Sequence, residues 1–220
     1  MKVLISGAAS GIGLSVTRYF LKKGYEVYGL DLLDSDLIHM NYHHFVVDIK
    51  DKEKLPNIEE IDYLFNNAGK QNCEDDIANN LVGAINVTEK YGIQPNIKSI
   101  LFNASASARS GFEFPQYVAS KAGIVGYMKN VATRIAKYQA TCNSISLGGV
   151  LTDSNKLVIE DKEMWNKIMD STPLKKWMSL DEVNKWVYFL LVENKSMSGQ
   201  DVLIDNGEYN LNNTFVWPKE

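Results

Sequence analysis

"SGAASGIG", residues 6–13, closes a short apolar run, "KVLIS", and opens a stretch of helical periodicity. Its glycines, Gly7, Gly11 and Gly13, stand in the order G-x-x-x-G-x-G rather than the more familiar G-x-G-x-x-G. One glycine lets a chain turn sharply after a strand, and another lets backbone approach a pyrophosphate. The helix N-terminus that follows offers free N–H groups and a partial positive charge to the anion. Alone, a glycine-rich bend is a weak signal. Its weight depends on what stands at the ends of the other strands.

Those strands are read from apolar runs. "KVLIS" at 2–6 is the first, and a helix over 11–23 follows, with Ile12, Val16, Tyr19 and Phe20 at helical spacing. "YEVYGLD" ends at Asp31, "HFVVDI" near Asp48, "IDYLFNNAG" at Asn66 and Asn67, and "SILFNAS" at Ser105. "ATCNSISLGG" ends near Leu147, and "DVLIDNG" supplies a seventh strand. Helical patterns lie over 75–91, 115–137 and 180–193. Alternation of strand and helix, with near-continuous apolar strands, predicts a Rossmann-like, doubly wound α/β fold. It has three α/β/α layers around a mainly parallel seven-stranded sheet. Residues 1–220 read as one domain, without repeat or linker. The long segment 152–178 breaks the rhythm and carries Met164, Trp165 and Trp177. It reads either as a substrate-binding lid or as surface helices over the core.

Composition narrows the function. A net charge of -4 with scattered Lys and Arg argues against nucleic acid as partner. No run approaches the roughly 18 apolar residues of a membrane span. Cys73 and Cys142 lie outside any C-x-x-C, which suits a reducing, cytoplasmic setting. His39, His43 and His44 have no Cys or carboxylate at metal-ligand spacing, so no metal site is expected.

In doubly wound sheets, ligands bind beyond the C-terminal ends of the strands. The distinctive residues of this chain gather at those ends. Asp31 lies near the ~20 residues past the glycines at which a carboxylate accepts hydrogen bonds from the adenosine ribose. A 2′-phosphate there would meet like charge, and Ser10 and Leu32 supply no cation for it. NAD is therefore expected over NADP. "YVASK" puts Tyr117 and Lys121 one helical turn apart on one face. Free tyrosine has a pKa of about 10, and a neighbouring ammonium lowers it toward working pH. Such a proton donor and acceptor suits carbonyl reduction or alcohol oxidation. Tyr-x-x-x-Lys alone also arises by accident on amphipathic helices.

Taken together, these stretches resemble the single-domain short-chain dehydrogenases/reductases, over essentially the whole chain. The family's T-G-x-x-x-G-x-G is matched with Ser6 in the threonine position, so Gly7, Ser10, Gly11, Ile12 and Gly13 are expected at the cofactor. Its adenine-pocket aspartate corresponds to Asp48, followed by Ile49, and N-N-A-G is Asn66, Asn67, Ala68 and Gly69. "NLVG" makes Asn80 the catalytic asparagine, and Asn86 resembles the second, non-catalytic one. The resemblance implies that Tyr117 exchanges a proton with the substrate oxygen and that Lys121 holds the nicotinamide ribose and tunes the tyrosine. A serine then polarises the carbonyl, and Asn80 anchors a water for proton relay. The implied activity is NAD-dependent interconversion of a small-molecule secondary alcohol and ketone by a homo-oligomer, dimer or tetramer.

Departures from the pattern matter. The family's N-x-S-S is here "NASAS", which sets Ala106 in the serine slot; Ser105 is favoured by its spacing to Tyr117, with Ser107 the alternative. "LGGVLT" replaces a proline by Leu147 but keeps Gly148, Val150 and Thr152, so a working, less rigid loop at the nicotinamide is expected. The stretches 49–60 and 70–79 are short, which bears on the family's usual tetramer. Phe112, Phe114, Met164, Trp165 and Trp177 either line an apolar substrate pocket or belong to core and lid. A dinucleotide-binding regulator that has lost turnover is the alternative, opposed by the intact Tyr117, Lys121 and Asn80. An extended sugar-nucleotide enzyme would need more chain after Thr152.

Overall fold

The computed structural model describes residues 1–112, 114–209 and 211. Seven strands form one sheet: β1 (Lys2–Ser6), β2 (Glu26–Asp31), β3 (Tyr42–Val46), β4 (Tyr63–Asn66), β5 (Ser99–Asn103), β6 (Thr141–Leu147) and β7 (Asp201–Ile204). The spatial order is β3-β2-β1-β4-β5-β6-β7, and among the described residues every strand pairing is parallel. β1 explains why both faces must be covered. Its Val3 and Ile5 enter one core and Leu4 enters the other, all fully buried.

Helix α1 (Gly11–Lys22) covers the first face with Val16 and Phe20, and Gly24, at φ +82°, turns the chain back into the sheet. Beside it lies α7 (Leu180–Tyr188), entered through a capping box between Ser179 and Glu182. The second face is covered by α2 (Gly83–Val87) with its flanking turns and by α4 (Pro115–Ile135). A short α3 (Ser107–Ser110) follows β5. Within 152–178 the chain folds as α5 (Lys156–Glu160) and α6 (Lys162–Ser171), whose N-terminus is capped by the Asp161 carboxylate.

Two sequence readings shift. The third strand spans Tyr42–Val46 rather than running to Asp48, and His43 and His44 lie inside it. Val47 still donates to Asp31 O at 2.7 Å, but the Asp48 carboxylate then accepts the Lys50 N–H and turns the chain. The helix expected over 75–91 is α-helical only in α2, with π-helical turns at Ile77–Val82 and Thr88–Gly92. The Thr88 hydroxyl, which donates to Ala84 O, also accepts from Asn66 Nδ2, so the helix widens where it docks on the sheet. Between β2 and β3 there is no helix, and between β3 and β4 only a 3₁₀ turn at Lys52–Lys54. Strand order reverses between β1 and β4, which opens the crevice that holds the candidate site.

Candidate active site

A cleft of about 420 Å³ lies over the C-terminal ends of β1, β2 and β4. The glycine turn supplies Gly7, Ser10, Gly11 and Ile12 to its wall; Asp31, Asp48 and Ile49 close one end; Asn67, Ala68 and Gly69 form the middle. Thr152 and Ser154, from the segment after β6, reach the far rim. Leu32, Leu33, Lys70, Asn79 and Asn103 also line it. Sequence reasoning missed these last as site residues, although each adjoins a residue it named or ends a strand.

Hydrogen bonds between strand ends shape the cleft. The Ser6 hydroxyl accepts the N–H groups of Asn67 (3.0 Å) and Ala68 (3.1 Å). Asn67 Nδ2 donates to the carbonyls of Ser6 and Gly7, and Asn103 Nδ2 donates to Asn67 Oδ1 at 3.0 Å. At Gly7, φ is +69°, and an added Cβ would lie 2.8 Å from Ala68 Cα. Gly13 does not line the cleft; a Cβ there would fall 1.8 Å from Gly7 O, so it serves the packing of helix against turn. The carboxylate of Asp31 accepts from Ala9 N–H (2.8 Å) and Leu33 N–H (3.0 Å), which fixes it above the glycine turn. Asn86 Nδ2 donates to Ile49 O and Lys50 O and so holds the loop after Asp48.

These residues fit a dinucleotide. Helix α1 begins without a side-chain cap on its first N–H groups, as an anion site requires. A side chain added at Gly11 would meet open space. Asp31 is aimed by two backbone donors at the end where a ribose would sit.

Tyr117 and Lys121 belong to α4; neither lines the cleft itself, but Lys121 reaches Asn103, which does. Lys121 is 4% exposed, and its Nζ donates to Asn103 O at 2.8 Å and lies 5.6 Å from the Tyr117 ring centroid. Burial pushes its pKa down to about 8, against the pull of the Asp76 carboxylate. Asn80 sits in the first π-helical turn, fully buried. Its Oδ1 accepts from Lys70 N–H (2.7 Å), and its Nδ2 donates to Lys70 O and to the Ser120 hydroxyl (both 2.9 Å). The Ser120 hydroxyl in turn donates to Tyr117 O, which links the two helices through a residue that "YVASK" contains but spacing did not single out.

The two candidate serines differ in burial. Ser105 is 7% exposed and its Oγ accepts the Ser107 N–H at 3.2 Å. Ser107 is fully enclosed at the start of α3, its Oγ without a partner among the described residues. The loop after β6 is held more firmly than the missing proline suggests. Leu147 O accepts from Ala106 N–H, Gly148 N–H donates to Ile204 O, and Val150 bridges to Met178. Gly148 and Val150 themselves do not line the cleft. The five side chains read either as pocket lining or as core and lid do not line this cleft. Phe112 is 81% exposed, Met164 is exposed, and Trp165 packs edge-on against Trp177 with centroids 5.1 Å apart.

Among the described residues no group of His, Cys, Asp and Glu is placed to hold a metal, and no helix is long and apolar enough to cross a membrane. Cys73 and Cys142 are both free thiols.

The family model described as enoyl-(acyl carrier protein) reductase matches residues 7–208. The 3-oxoacyl-[acyl-carrier-protein] reductase FabG of Buchnera aphidicola is 27% identical, over 93% of this chain and 96% of its own. A 4-hydroxyisoleucine dehydrogenase mutant, solved with NADH and succinate, is 25% identical with a TM-score of 0.85, covering 97% of this chain and 100% of its own. ElxO, solved with NADP bound, shares the fold at 22% identity and a TM-score of 0.84, over 96% and 99% of the two chains.

Proposed function

Because the chain belongs to the short-chain dehydrogenase/reductase family of oxidoreductases, we propose that it interconverts a secondary alcohol and a ketone with NAD(H). The nicotinamide, when bound, supplies the hydride chemistry. The protein supplies position and charge. In ketone reduction Tyr117 Oη gives its proton to the substrate oxygen, and in alcohol oxidation it takes that proton. The Lys121 ammonium favours the phenolate form of Tyr117 and has donors left over for a ribose hydroxyl. Ser105 donates a hydrogen bond to the substrate carbonyl. Asn80 holds Lys70 and Ser120 in place and carries the proton relay outward through a water.

The observation that carries this reading is the buried Lys121 amino group, 5.6 Å from the Tyr117 ring centroid and hydrogen-bonded to Asn103, which lines the cleft. Asp31 supports NAD over NADP, because its fixed carboxylate would repel a 2′-phosphate. Residues 152–178 act as a lid, entered through Thr152 and Ser154 at the rim. A closed homo-oligomer and a cytoplasmic setting complete the reading. A screen of alcohols and ketones followed by NADH absorbance, with Tyr117→Phe alongside, tests the activity. Turnover in the native chain but not the variant supports it.

A further inference from the structure

Past Ser105 the chain makes the short helix α3, and the Arg109 side chain leaves it for the edge of the sheet. Its guanidinium meets β7 twice: Nε donates to Asp201 Oδ2 at 2.8 Å, and Nη2 donates to Asp201 O. Surface ion pairs contribute little as a rule. This one differs in its acceptor. The Asp201 side chain is 9% exposed, and its other oxygen, Oδ1, accepts the hydroxyls of Ser144 (2.7 Å) and Ser146 (2.8 Å), both fully buried on β6. The carboxylate is therefore fixed independently of Arg109, and the two-point contact holds the guanidinium in one orientation.

β6 and β7 do not need this contact. Their ladder runs from Ser144 opposite Asp201 to Leu147 opposite Ile204, and the two hydroxyls join them again. What the guanidinium adds is a hold on α3. A helix of four residues has little stability of its own, and this one ends at Gly111, φ +72°. Ala106 N–H on Leu147 O (2.9 Å) ties its start to β6, and Arg109 ties its end to β7. Hydrogen bonds lead from Arg109 back to Ser105. Arg109 N–H donates to Ala106 O (3.0 Å), Ala108 N–H to Ser105 O (3.1 Å) and Ser107 N–H to Ser105 Oγ (3.2 Å). The last of these occupies a lone pair of the Ser105 hydroxyl and leaves its proton for another acceptor.

We propose that Arg109 is a positioning residue: anchored on Asp201, it holds the α3 turn so that the Ser107 N–H keeps the Ser105 hydroxyl aimed at the substrate carbonyl. The proposal rests on the role given above to Ser105.

The experiment compares Arg109→Met, which keeps an apolar stem and removes the guanidinium, with Arg109→Lys, Ser105→Ala and the double variant Arg109→Met/Ser105→Ala. Steady-state kinetics uses any substrate found by the screen. Arg109→Met is expected to lower kcat about tenfold with KM and NADH affinity nearly unchanged. Arg109→Lys, which still donates to Asp201 Oδ2, recovers most of the rate. The double variant turns over no more slowly than Ser105→Ala alone, because the two residues act as a unit. A native kcat in Arg109→Met, as a merely structural contact would give, overturns the proposal, and so does a further tenfold loss in the double variant. Should the uncompensated Asp201 charge unfold Arg109→Met, Arg109→Met/Asp201→Asn removes both charges and takes its place, with the same outcomes.

Amide hydrogen exchange reads the hold without turnover. In Arg109→Met the N–H groups of Ala108, Ser110 and Gly111 exchange faster than in the native chain, while those of β5 and α4 do not. Unchanged exchange in that turn overturns the proposal. A native chain that turns over no alcohol or ketone defeats the oxidoreductase reading separately, and the exchange still decides whether Arg109 holds α3.

Discussion

Asp31 Oδ2 accepts the Ala9 N–H at 2.8 Å across 22 residues of sequence, so the end of β2 is tied directly over the glycine turn. The tie fixes the carboxylate where an adenosine ribose would lie. NADH is expected to raise the melting temperature more than NADPH at equal concentration. At a hundred times its dissociation constant it adds about 2.7 kcal/mol. Asp31→Asn should narrow the difference between the two. A larger shift with NADPH in the native chain contradicts the role of Asp31.

Ser105 and Ser107 separate by burial, and their alanine variants should separate by rate. Ser105→Ala is expected to lower kcat by about 10² or more while leaving NADH affinity nearly unchanged, as loss of a carbonyl-polarising donor does. Ser107→Ala removes an enclosed hydroxyl without a partner among the described residues and should leave kcat near native. Steady-state kinetics on any substrate found by the screen reads the pair. A loss confined to Ser107→Ala moves the catalytic serine to that position.

Gly149 carries the Trp177 indole. A Cβ there would lie 2.0 Å from Trp177 Cε2, and Met178 N–H donates to Gly149 O at 3.0 Å, so the ring cannot simply withdraw. Gly149→Ala is expected to destabilise the fold by about 1–3 kcal/mol, the ordinary consequence of overpacking. Urea unfolding checks this. Pairing it with Trp177→Leu should recover much of the loss, and an unchanged midpoint in the single variant contradicts the contact.

Glu89 gives a pH dependence. Arg134 Nη2 donates to its Oε2 and Tyr127 Oη to its Oε1, both at 2.7 Å, and the Arg134 guanidinium with these bonds holds the carboxyl down at about 2. The folded value lies below the ordinary 4.5. The stabilisation is therefore complete above about pH 4.5 and fades as pH falls toward 2. Glu89→Gln should cost about 1–2 kcal/mol at neutral pH and flatten the loss of stability between those limits. Equal urea midpoints for variant and native protein at neutral pH contradict it.

Much of the fold was legible because strand ends carry chemistry in short local patterns. Gly7 to Gly13, Asp31 and "NNAG" each declare themselves within a few residues. What joins them was not legible, since Ser6 meets Asn67 only across 61 residues of chain. The third strand was placed late because the apolar run 45–49 outlasts the ladder, whereas stacking of His43 on Tyr28 and the hydrogen bond of His44 to Tyr42 lie in its polar start. A six-residue π-helical turn around Asn80 cannot be told from an α-helix by periodicity. Asp76 belongs to no local pattern, and only the packing of its loop buries it. The serines of "NASAS" stayed open because spacing fixes their order but not their depth.

The most direct measurement is ketone-dependent consumption of NADH, followed by absorbance, in the native chain and in Tyr117→Phe. The expected result is turnover in the native chain, a fall of about 10² to 10⁴ in the variant, and NADH affinity nearly unchanged. Equal rates in the two proteins, or no turnover with any alcohol or ketone although NADH binds, would contradict the assignment of Tyr117 and the oxidoreductase built on it.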